Sequence, residues 1–256
     1  IDHKPWRIRN MAIYAAMVDH MDQAVGKIVQ SLRQTEQLDN TLIIYFHDNG
    51  ACPEHLSGNG FNTANNILAA AKKAGQTVAV GDKFDVPMGG PLTYGSVGHN
   101  WACAQNTPMR RYKMNVHNGG ACTPAIMHWP AGLKTKAGSI SSQRGHVVDM
   151  MATCLELASA KYPEQFEGET LAPHESLSLV PVLKGNTVDR QHTYIFNHAG
   201  THAIVKGDYK IVREGKGPWA LYNLANNRTE TINLAKQQTE RVEQMAKLWE
   251  ARWGKK

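Results

Sequence analysis

The sequence predicts an α/β fold: part of a large mixed, mostly parallel sheet flanked by helices, plus a small C-terminal antiparallel sheet with a helix. Three observations lead to this prediction. An unbroken apolar run at residues 42–46 is typical of a strand buried on both faces. A helical repeat over residues 11–38 precedes it. From residue 192 onward, short strands alternate with glycine and charged turns.

The first helix is predicted to be amphipathic. Apolar side chains recur at three- and four-residue steps and polar ones fill the opposite face, as expected of a helix laid on a sheet. The apolar positions are Tyr14, Met17, Val18, Met21, Val25, Ile28, Val29 and Leu32. A helix followed by a buried strand is half of a βαβ unit. We therefore expect the preceding strand to lie upstream, on chain that this sequence does not include.

The strand predicted at residues 41–46 runs into an acid, an amide and a glycine. In open α/β sheets, ligands bind beyond the carboxyl ends of the strands, which is the place that Asp48 and Asn49 occupy. Two adjacent side-chain oxygens suit a hard cation such as Ca²⁺ or Mg²⁺. Asp-Asn-Gly is equally typical of a turn, and this stretch taken alone favours the turn.

The middle of the chain is predicted to hold long loops around a second strand. Residues 48–108 are rich in Gly, Asn, Ala and Pro, with a short helix expected at 66–74, and could form one wall of a pocket. A second buried strand is predicted at 124–129 and a helix at 147–158. Residues 161–191 are predicted to be mostly loop.

The C-terminal part is predicted to be an antiparallel meander closed by a helix at 238–253. Its strands are expected at 192–197, 202–205, 209–213 and 219–223. Two domains follow from this layout. Residues 1–185 are expected to form part of a large α/β domain, and residues 186–256 a small subdomain.

Composition limits the classes of function. With 256 residues, 42% of them hydrophobic and 20% charged, the chain is expected to form a packed globule. No apolar run approaches the roughly 18 residues of a membrane span. The net charge of +6 is scattered without interleaved aromatics, so nucleic-acid binding is not predicted. The chain begins at Ile1 without a signal-peptide layout, and we expect a processed product or a fragment.

Two further side chains are candidates for binding an anion. Lys113 precedes a Gly-Gly turn, and a compact ammonium there could hold an oxyanion; a solvated surface lysine is the simpler interpretation. His117 could donate to the same anion or cap the turn. Cys122 begins an incomplete Cys-x-Pro-x-Arg pattern. We do not propose it as a nucleophile, because the fifth position is Ile126 instead of a cation.

Three blocks of residues carry a family resemblance. The opening block comprises Tyr14-Ala15-Ala16-Met17-Val18, Met21-Asp22, Val25-Gly26 and Asp48-Asn49-Gly50. The middle block comprises Trp101-Ala102, Asn106-Thr107-Pro108, Lys113, His117, Gly119-Gly120, Thr123-Pro124 and His128-Trp129-Pro130. The closing block comprises Ala203-Ile204, Gly207-Asp208-Tyr209-Lys210, Trp219-Ala220-Leu221-Tyr222-Asn223-Leu224, Glu230 and Asn233-Leu234-Ala235. Together, in order and nearly end to end, they resemble bacterial type I sulfatases, the arylsulfatase family.

The resemblance implies an alkaline-phosphatase-like fold and the hydrolysis of sulfate esters by a formylglycine, formed by oxidation of the Cys or Ser in Cys/Ser-x-Pro-x-Arg. It also implies a divalent cation, usually Ca²⁺ with Mg²⁺ as the alternative, that polarises the sulfate. By motif position, Asp48 and Asn49 resemble cation ligands, and Asp48 would also touch the formylglycine hydroxyl. Lys113 resembles the lysine that grips a sulfate oxygen. Asp48, Lys113 and His117 are thus the expected catalytic residues, and Lys113 and His117 are expected to contact the substrate.

Several family features do not occur in this sequence: the formylglycine motif, its neighbouring Arg and Lys, the other acidic cation ligands and two catalytic histidines. In the family they precede the opening helix, so the chain resembles a C-terminal half and is expected to be inactive alone. The expected partner is the N-terminal half, from the same precursor or a separate chain. The family suggests a periplasmic or secreted location.

Two alternatives stay open. The chain could belong to a phosphate or phosphonate ester hydrolase of the same superfamily, because the nucleophile that would discriminate is not in view. It could also be an inactive fragment or a non-catalytic subunit.

Overall fold

The computed structural model describes residues 3–54, 62–186 and 193–254. The helices are α1 (Lys4–Gln34), α2 (Asn62–Lys73), α3 (Gly98–Gln105), α4 (Asn118–Ala121), α5 (Asp149–Leu157), α6 (Val180–Leu183) and α7 (Thr239–Trp253). The strands are β1 (Ile43–Phe46), β2 (Ala79–Val80), β3 (Thr93–Tyr94), β4 (Ala125–His128), β5 (Gln165–Phe166), β6 (Glu169–Thr170), β7 (Thr193–His198), β8 (Thr201–Lys206), β9 (Tyr209–Glu214) and β10 (Ala220–Asn223). Residue 192, the expected start of the C-terminal meander, and parts of the two predicted loops lie outside the described residues.

The predicted fold class is confirmed as mixed α/β with a small C-terminal antiparallel sheet and helix. Contacts divide the chain into two compact units. The first contains residues 1–28, 49–124 and 191–256, and the second contains residues 29–48 and 125–190. The predicted boundary between residues 185 and 186 stays a prediction.

The first unit contains the predicted meander as a four-stranded antiparallel sheet in the order β10-β9-β8-β7. Because side chains alternate across a strand, the sheet has two apolar faces. One face packs against Met245 of α7 and carries Ile204, Ile211 and Leu221. The opposite face packs against Val116 and carries Tyr194, Ala203, Val205, Val212 and Tyr222. The segment that follows Lys113 therefore packs against the C-terminal sheet through Val116.

The helix α1 also belongs mostly to the first unit, and its first turns are pinned by polar contacts. Arg7 pairs with Asp82 at 2.7 Å, and Asn10 donates to the carbonyl of Ser96 at 3.0 Å. The apolar stripe farther along was expected to lie on a sheet, and this expectation is wrong for the described residues. Met17 is 66% exposed and Ile28 is 61% exposed. Backbone hydrogen bonds and the pinned first turns, instead of burial of the stripe, hold this helix.

The second unit contains the two strands that were expected to be buried on both faces. β1 pairs with β4 in an antiparallel register, from Ile43 opposite His128 to Phe46 opposite Ala125. β1 is only half-buried and β4 is mostly exposed. The expected burial is therefore wrong here, because a two-stranded ribbon cannot cover its own faces. Within the described ranges, parallel pairing occurs only between β2 and β3.

The loop after α5 in the second unit is organised by the start of that helix. The buried Asp149 carboxylate accepts the backbone N–H of His146 at 2.7 Å and that of Leu177 at 2.9 Å. Thr153, fully buried, accepts the N–H of Leu179 at 2.9 Å. These bonds satisfy backbone donors that a loop would otherwise bury unpaired. In the part of the chain that the structure describes, no helix has the length and apolarity needed to cross a membrane.

Candidate active site

The predicted cation ligands lie in the bend that follows β1. The Asp48 side chain is exposed, and Asn49 is half-buried. The Asn49 amide nitrogen donates to the carbonyl of Gly50 at 2.8 Å, which leaves the amide oxygen as the atom suited to a cation. The Asp-Asn-Gly stretch is a bend, and Asp48 and Asn49 are consecutive residues of it that each carry a side-chain oxygen.

The residues after this bend interlock with the loop that carries Lys113. The Gly50 N–H donates to the carbonyl of Gly120, and the Lys113 N–H donates to the carbonyl of Ala51, both at 3.0 Å. The Asn106 side chain fastens the same junction, because it accepts the N–H of Ala51 and donates to the carbonyl of Arg111, again at 3.0 Å in each case. The structure thus brings Lys113 together with the segment that begins at Asn49.

Two glycines make this interlock sterically feasible. A Cβ atom at Gly50 would overlap the carbonyl oxygen of Gly119. A Cβ atom at Gly119 would overlap the carbonyl oxygens of Arg110 and Arg111. Glycine is therefore required at both positions, because backbone meets backbone there without room for a side chain, between the two segments at Gly50 and within the Lys113 loop at Gly119.

The Lys113 side chain is available for binding an anion. Its backbone is held by Ala51, but its side chain keeps 35% of its exposure. The ammonium lies 3.8 Å from a carboxylate oxygen of Glu54, a distance at which a partly exposed ion pair is weak. The Cys52 thiol donates to the same carboxylate at 3.3 Å, and burial raises the pKa of Cys52. All four cysteines are free thiols.

The position of His117 differs sharply from that of Lys113. His117 is only 3% exposed, and it is the residue immediately before α4. Burial and the neighbouring charges of Lys210, Arg110 and Arg111 lower the pKa of His117 to about 3. The imidazole is therefore neutral at physiological pH, and its Nδ1 atom, 3.9 Å from Glu214, does not form an ion pair there. A neutral histidine can donate one hydrogen bond but cannot supply positive charge to an anion.

The donor set at the bend fits part of a hard-cation site. No group of three or more His, Cys, Asp or Glu side chains comes together as a metal site in residues 3–54, 62–186 and 193–254. Asp48 and Asn49 offer the oxygen donors that Ca²⁺ and Mg²⁺ prefer, and Ca²⁺ takes about six to eight of them. These two residues therefore fit part of such a ligand set, and not a complete one.

A buried charged cluster beside His117 was not predicted as a site. The Lys210 Nζ atom lies 2.8 Å from Glu230 Oε1 and donates to Asn118 Oδ1, also at 2.8 Å. Glu230 Oε2 accepts the N–H of Asn118 at 2.6 Å. A lysine on the apolar face of β9, where Val212 is the next residue in register, is the sequence signal that could have indicated this cluster.

The chain matches the family model described as Sulfatase over residues 2–160. This match covers more than half of the chain. The chain belongs to the sulfatase family. The predicted resemblance is thereby confirmed at the level of the family.

The chain matches curated relatives over most of its own length. It is 30% identical to an uncharacterised sulfatase of Schizosaccharomyces pombe over 97% of the chain and 44% of that protein. It is 28% identical to an arylsulfatase of Klebsiella aerogenes over 71% of the chain and 34% of that protein. The chain thus spans less than half the length of the curated relatives it matches.

A solved structure supports the fold. The crystal structure of Ps i-CgsB superimposes with a TM-score of 0.65 at 23% identity, covering 95% of this chain and 43% of that one. At this identity the likeness concerns the fold alone. The chain therefore shares the fold of part of that protein.

Proposed function

We propose that this chain supplies part of the active site of a sulfuric ester hydrolase, namely two cation ligands and a sulfate-binding lysine. Membership of the sulfatase family supports the reaction class. One structural observation carries the assignment to residues: the Lys113 N–H donates to the carbonyl of Ala51, two residues beyond Asn49. The segment with the oxygen donors and the loop with the ammonium therefore share one hydrogen-bonded scaffold.

Asp48 and Asn49 are the proposed ligands of Ca²⁺, with Mg²⁺ as the alternative. Their donor chemistry supports this role, since both offer side-chain oxygen atoms, and the Asn49 amide is oriented by its hydrogen bond to the Gly50 carbonyl. When bound, the cation would supply an electrophile that polarises a sulfate oxygen. The remaining ligands and the formylglycine are proposed to come from the N-terminal half of the sulfatase, encoded in the same precursor or as a separate chain.

Lys113 is the proposed anchor for a sulfate oxygen. Its fixed backbone and accessible ammonium suit a group that must neutralise the negative charge of the sulfate oxygens in the transition state. His117 is proposed as a catalytic and substrate-contacting residue that acts in its neutral form, as a donor of one hydrogen bond. Because His117 is buried and neutral, its imidazole is suited to orienting a neighbouring group through a hydrogen bond, and not to attracting an anion by charge.

The exposed apolar stripe on α1 supports the proposed partnership. Met17, Val18, Met21 and Ile28 lie on this stripe and are each at least 40% exposed. An apolar surface of this kind is typical of a face that another segment covers. We propose that the N-terminal half covers it, and that the assembled sulfatase works in the periplasm or outside the cell.

The test is an ester-hydrolysis assay on the complete protein that carries this chain. Aryl sulfate, aryl phosphate and aryl phosphonate monoesters are compared in the presence of Ca²⁺. We expect turnover of the sulfate ester to exceed that of the two others. Preferential turnover of phosphate or phosphonate would favour the alternative hydrolase, and no turnover of any ester would favour a non-catalytic subunit.

A second arm tests the need for a partner. The isolated 256 residues are assayed alone and after addition of the N-terminal half. We expect turnover only in the mixture. Turnover by the isolated chain would contradict the proposed dependence while leaving the sulfatase assignment intact.

A further inference from the structure

We propose that Glu230 and Lys210 are positioning residues: they clamp both ends of segment 110–118, which carries Lys113, and so impose the conformation from which Lys113 acts. This inference rests on the function proposed above for Lys113. The clamp itself is a property of the folded chain and can be tested without any assay of activity.

Glu230 reaches both ends of the segment. At the far end, its Oε2 atom accepts the N–H of Asn118 at 2.6 Å. At the near end, its backbone carbonyl accepts a hydrogen bond from the Arg110 guanidinium at 3.1 Å. Lys113 lies between these two points on the chain. One residue of the C-terminal part therefore fixes the span of the loop.

Lys210 closes the far end of the clamp. Its ammonium lies 2.8 Å from Glu230 Oε1 and 2.8 Å from Asn118 Oδ1, and Lys210 and Glu230 are 1% and 0% exposed. Burying two charges is costly and is compensated only by close contacts of this kind. A purely structural core could fill the same volume with apolar side chains at lower cost. The pair is therefore better explained by a role in holding Asn118, the first residue of α4.

The loop between the clamped ends is strained. Arg111 has φ 69° and Met114 has φ 76°, so non-glycine residues on both sides of Lys113 adopt the left-handed conformation. Glu230 itself has φ 56°. Such conformations persist only where the surroundings impose them, and they cluster where a protein must hold a functional group in one orientation. The clamp supplies that constraint on the Lys113 loop.

The first test measures the loop directly by limited trypsin digestion of the complete protein. Arg110, Arg111 and Lys113 are trypsin sites within the clamped segment. In Glu230→Gln we expect cleavage at these sites to accelerate more than about tenfold, because proteolysis tracks the population of the open loop. The control is Asp82→Asn, which removes an ion pair elsewhere in the same unit. Unchanged protection in Glu230→Gln, or equal acceleration in Asp82→Asn, would overturn the proposal.

The second test separates positioning from simple loss of stability. Glu230→Gln leaves the Lys210 ammonium buried without the Glu230 carboxylate, whereas Lys210→Met combined with Glu230→Gln removes that charge. We expect the melting temperature of the double variant to return towards that of the wild type. We expect kcat for an aryl sulfate to stay reduced about tenfold to hundredfold in both variants, because Lys113 stays misplaced. Recovery of kcat together with the melting temperature would overturn the positioning role.

The two tests also separate this inference from the proposed function. If trypsin cleavage accelerates but the wild-type protein hydrolyses no sulfate ester, the clamp stands and the proposed function fails. If the wild type is an active sulfatase and the loop stays protected in Glu230→Gln, the proposed function stands and the clamp fails.

Discussion

Two lysines in the first compact unit have opposite environments. The side chain of Lys113 keeps 35% of its exposure and lies 3.8 Å from its carboxylate partner, Glu54. Lys210 is 1% exposed and lies 2.8 Å from its partner, Glu230. Both occur in the blocks that resemble the sulfatase family, and the motif alone does not distinguish their roles.

The contrast shows that burial decides whether a lysine charge is available to a ligand or is neutralised within the protein. Lys210 is buried and contacts Glu230 and Asn118, so its charge is not accessible to a ligand. Its removal is expected to cost considerable stability, because it leaves the buried Glu230 carboxylate without its cation. The charge of Lys113 is loosely paired and accessible, so its removal is expected to cost little stability and, in the role proposed above, to leave the sulfate uncompensated.

The largest effect is expected from loss of the buried lysine. Lys210→Met leaves Glu230 buried without its cation, and we expect the free energy of unfolding to fall by about 3–5 kcal/mol. Urea unfolding of the complete protein measures this. Lys206→Met, an exposed lysine on the neighbouring strand β8, serves as the control and should change it by less than about 0.5 kcal/mol. Similar stability of the two variants would contradict this contrast.

The second prediction concerns His117, which lies beside the buried cluster. Its folded pKa of about 3 is below the unfolded value, so the unfolded chain binds the proton first. This contribution to stability is complete above about pH 6.5 and is lost as pH falls towards 3. Between pH 7 and pH 5, we expect the wild type to lose about 2 kcal/mol more than His117→Asn does. Equal pH dependence of the two unfolding free energies would mean that His117 is not buried as described.

The sequence predicted the C-terminal sheet and α7 more accurately than it predicted α3 and the burial of β1 and β4. Periodicity located the strands of the C-terminal sheet and α7 to within one or two residues, because each sheet face and the helix stripe bury a regular apolar pattern. The helix α3 was missed, since Gly98–Gln105 is short and lacks such a pattern. The burial expected for β1 and β4 was wrong, because an apolar run indicates what a strand could bury and not what covers it.

The candidate site was predicted only where a local motif marked it. Asp48, Asn49, Lys113 and His117 were all named from the sequence, and their functional roles stay predictions. The Lys210–Glu230 pair could not be derived in this way. Its third member, Asn118, lies 92 residues from Lys210 along the chain, and only the folded register of β9 brings them together.

The third prediction concerns Asp48, whose side chain is exposed. Asp48→Ala removes one oxygen ligand from the proposed cation site, and we expect the affinity for Ca²⁺ to fall at least about tenfold, or about 1.4 kcal/mol. Calorimetric titration of the complete protein measures it. Asp39→Ala, an acid on the 3₁₀ turn before β1, is the control and should leave the affinity unchanged. Wild-type affinity in Asp48→Ala would remove this residue from the proposed site.

The smallest effect is expected from an exposed ion pair that joins the Lys113 loop to the end of β9. Arg111 contacts Glu214 at 3.0 Å, with 36% and 49% of the two side chains exposed. We expect Glu214→Gln to lower the unfolding free energy by about 1 kcal/mol or less, and less again in high salt. A loss comparable to that of Lys210→Met would show that exposure does not separate the two kinds of pair.

We propose that Lys113 acts on the substrate, whereas Lys210 stabilises the fold. The most direct test measures aryl sulfate turnover by Lys113→Met in a complete protein whose unfolding midpoint is recorded on the same sample. We predict a midpoint like that of the wild type and a fall in kcat of about 10²–10³-fold, the usual cost of removing a group that stabilises transition-state charge. Wild-type turnover by Lys113→Met at an unchanged midpoint would contradict the claim.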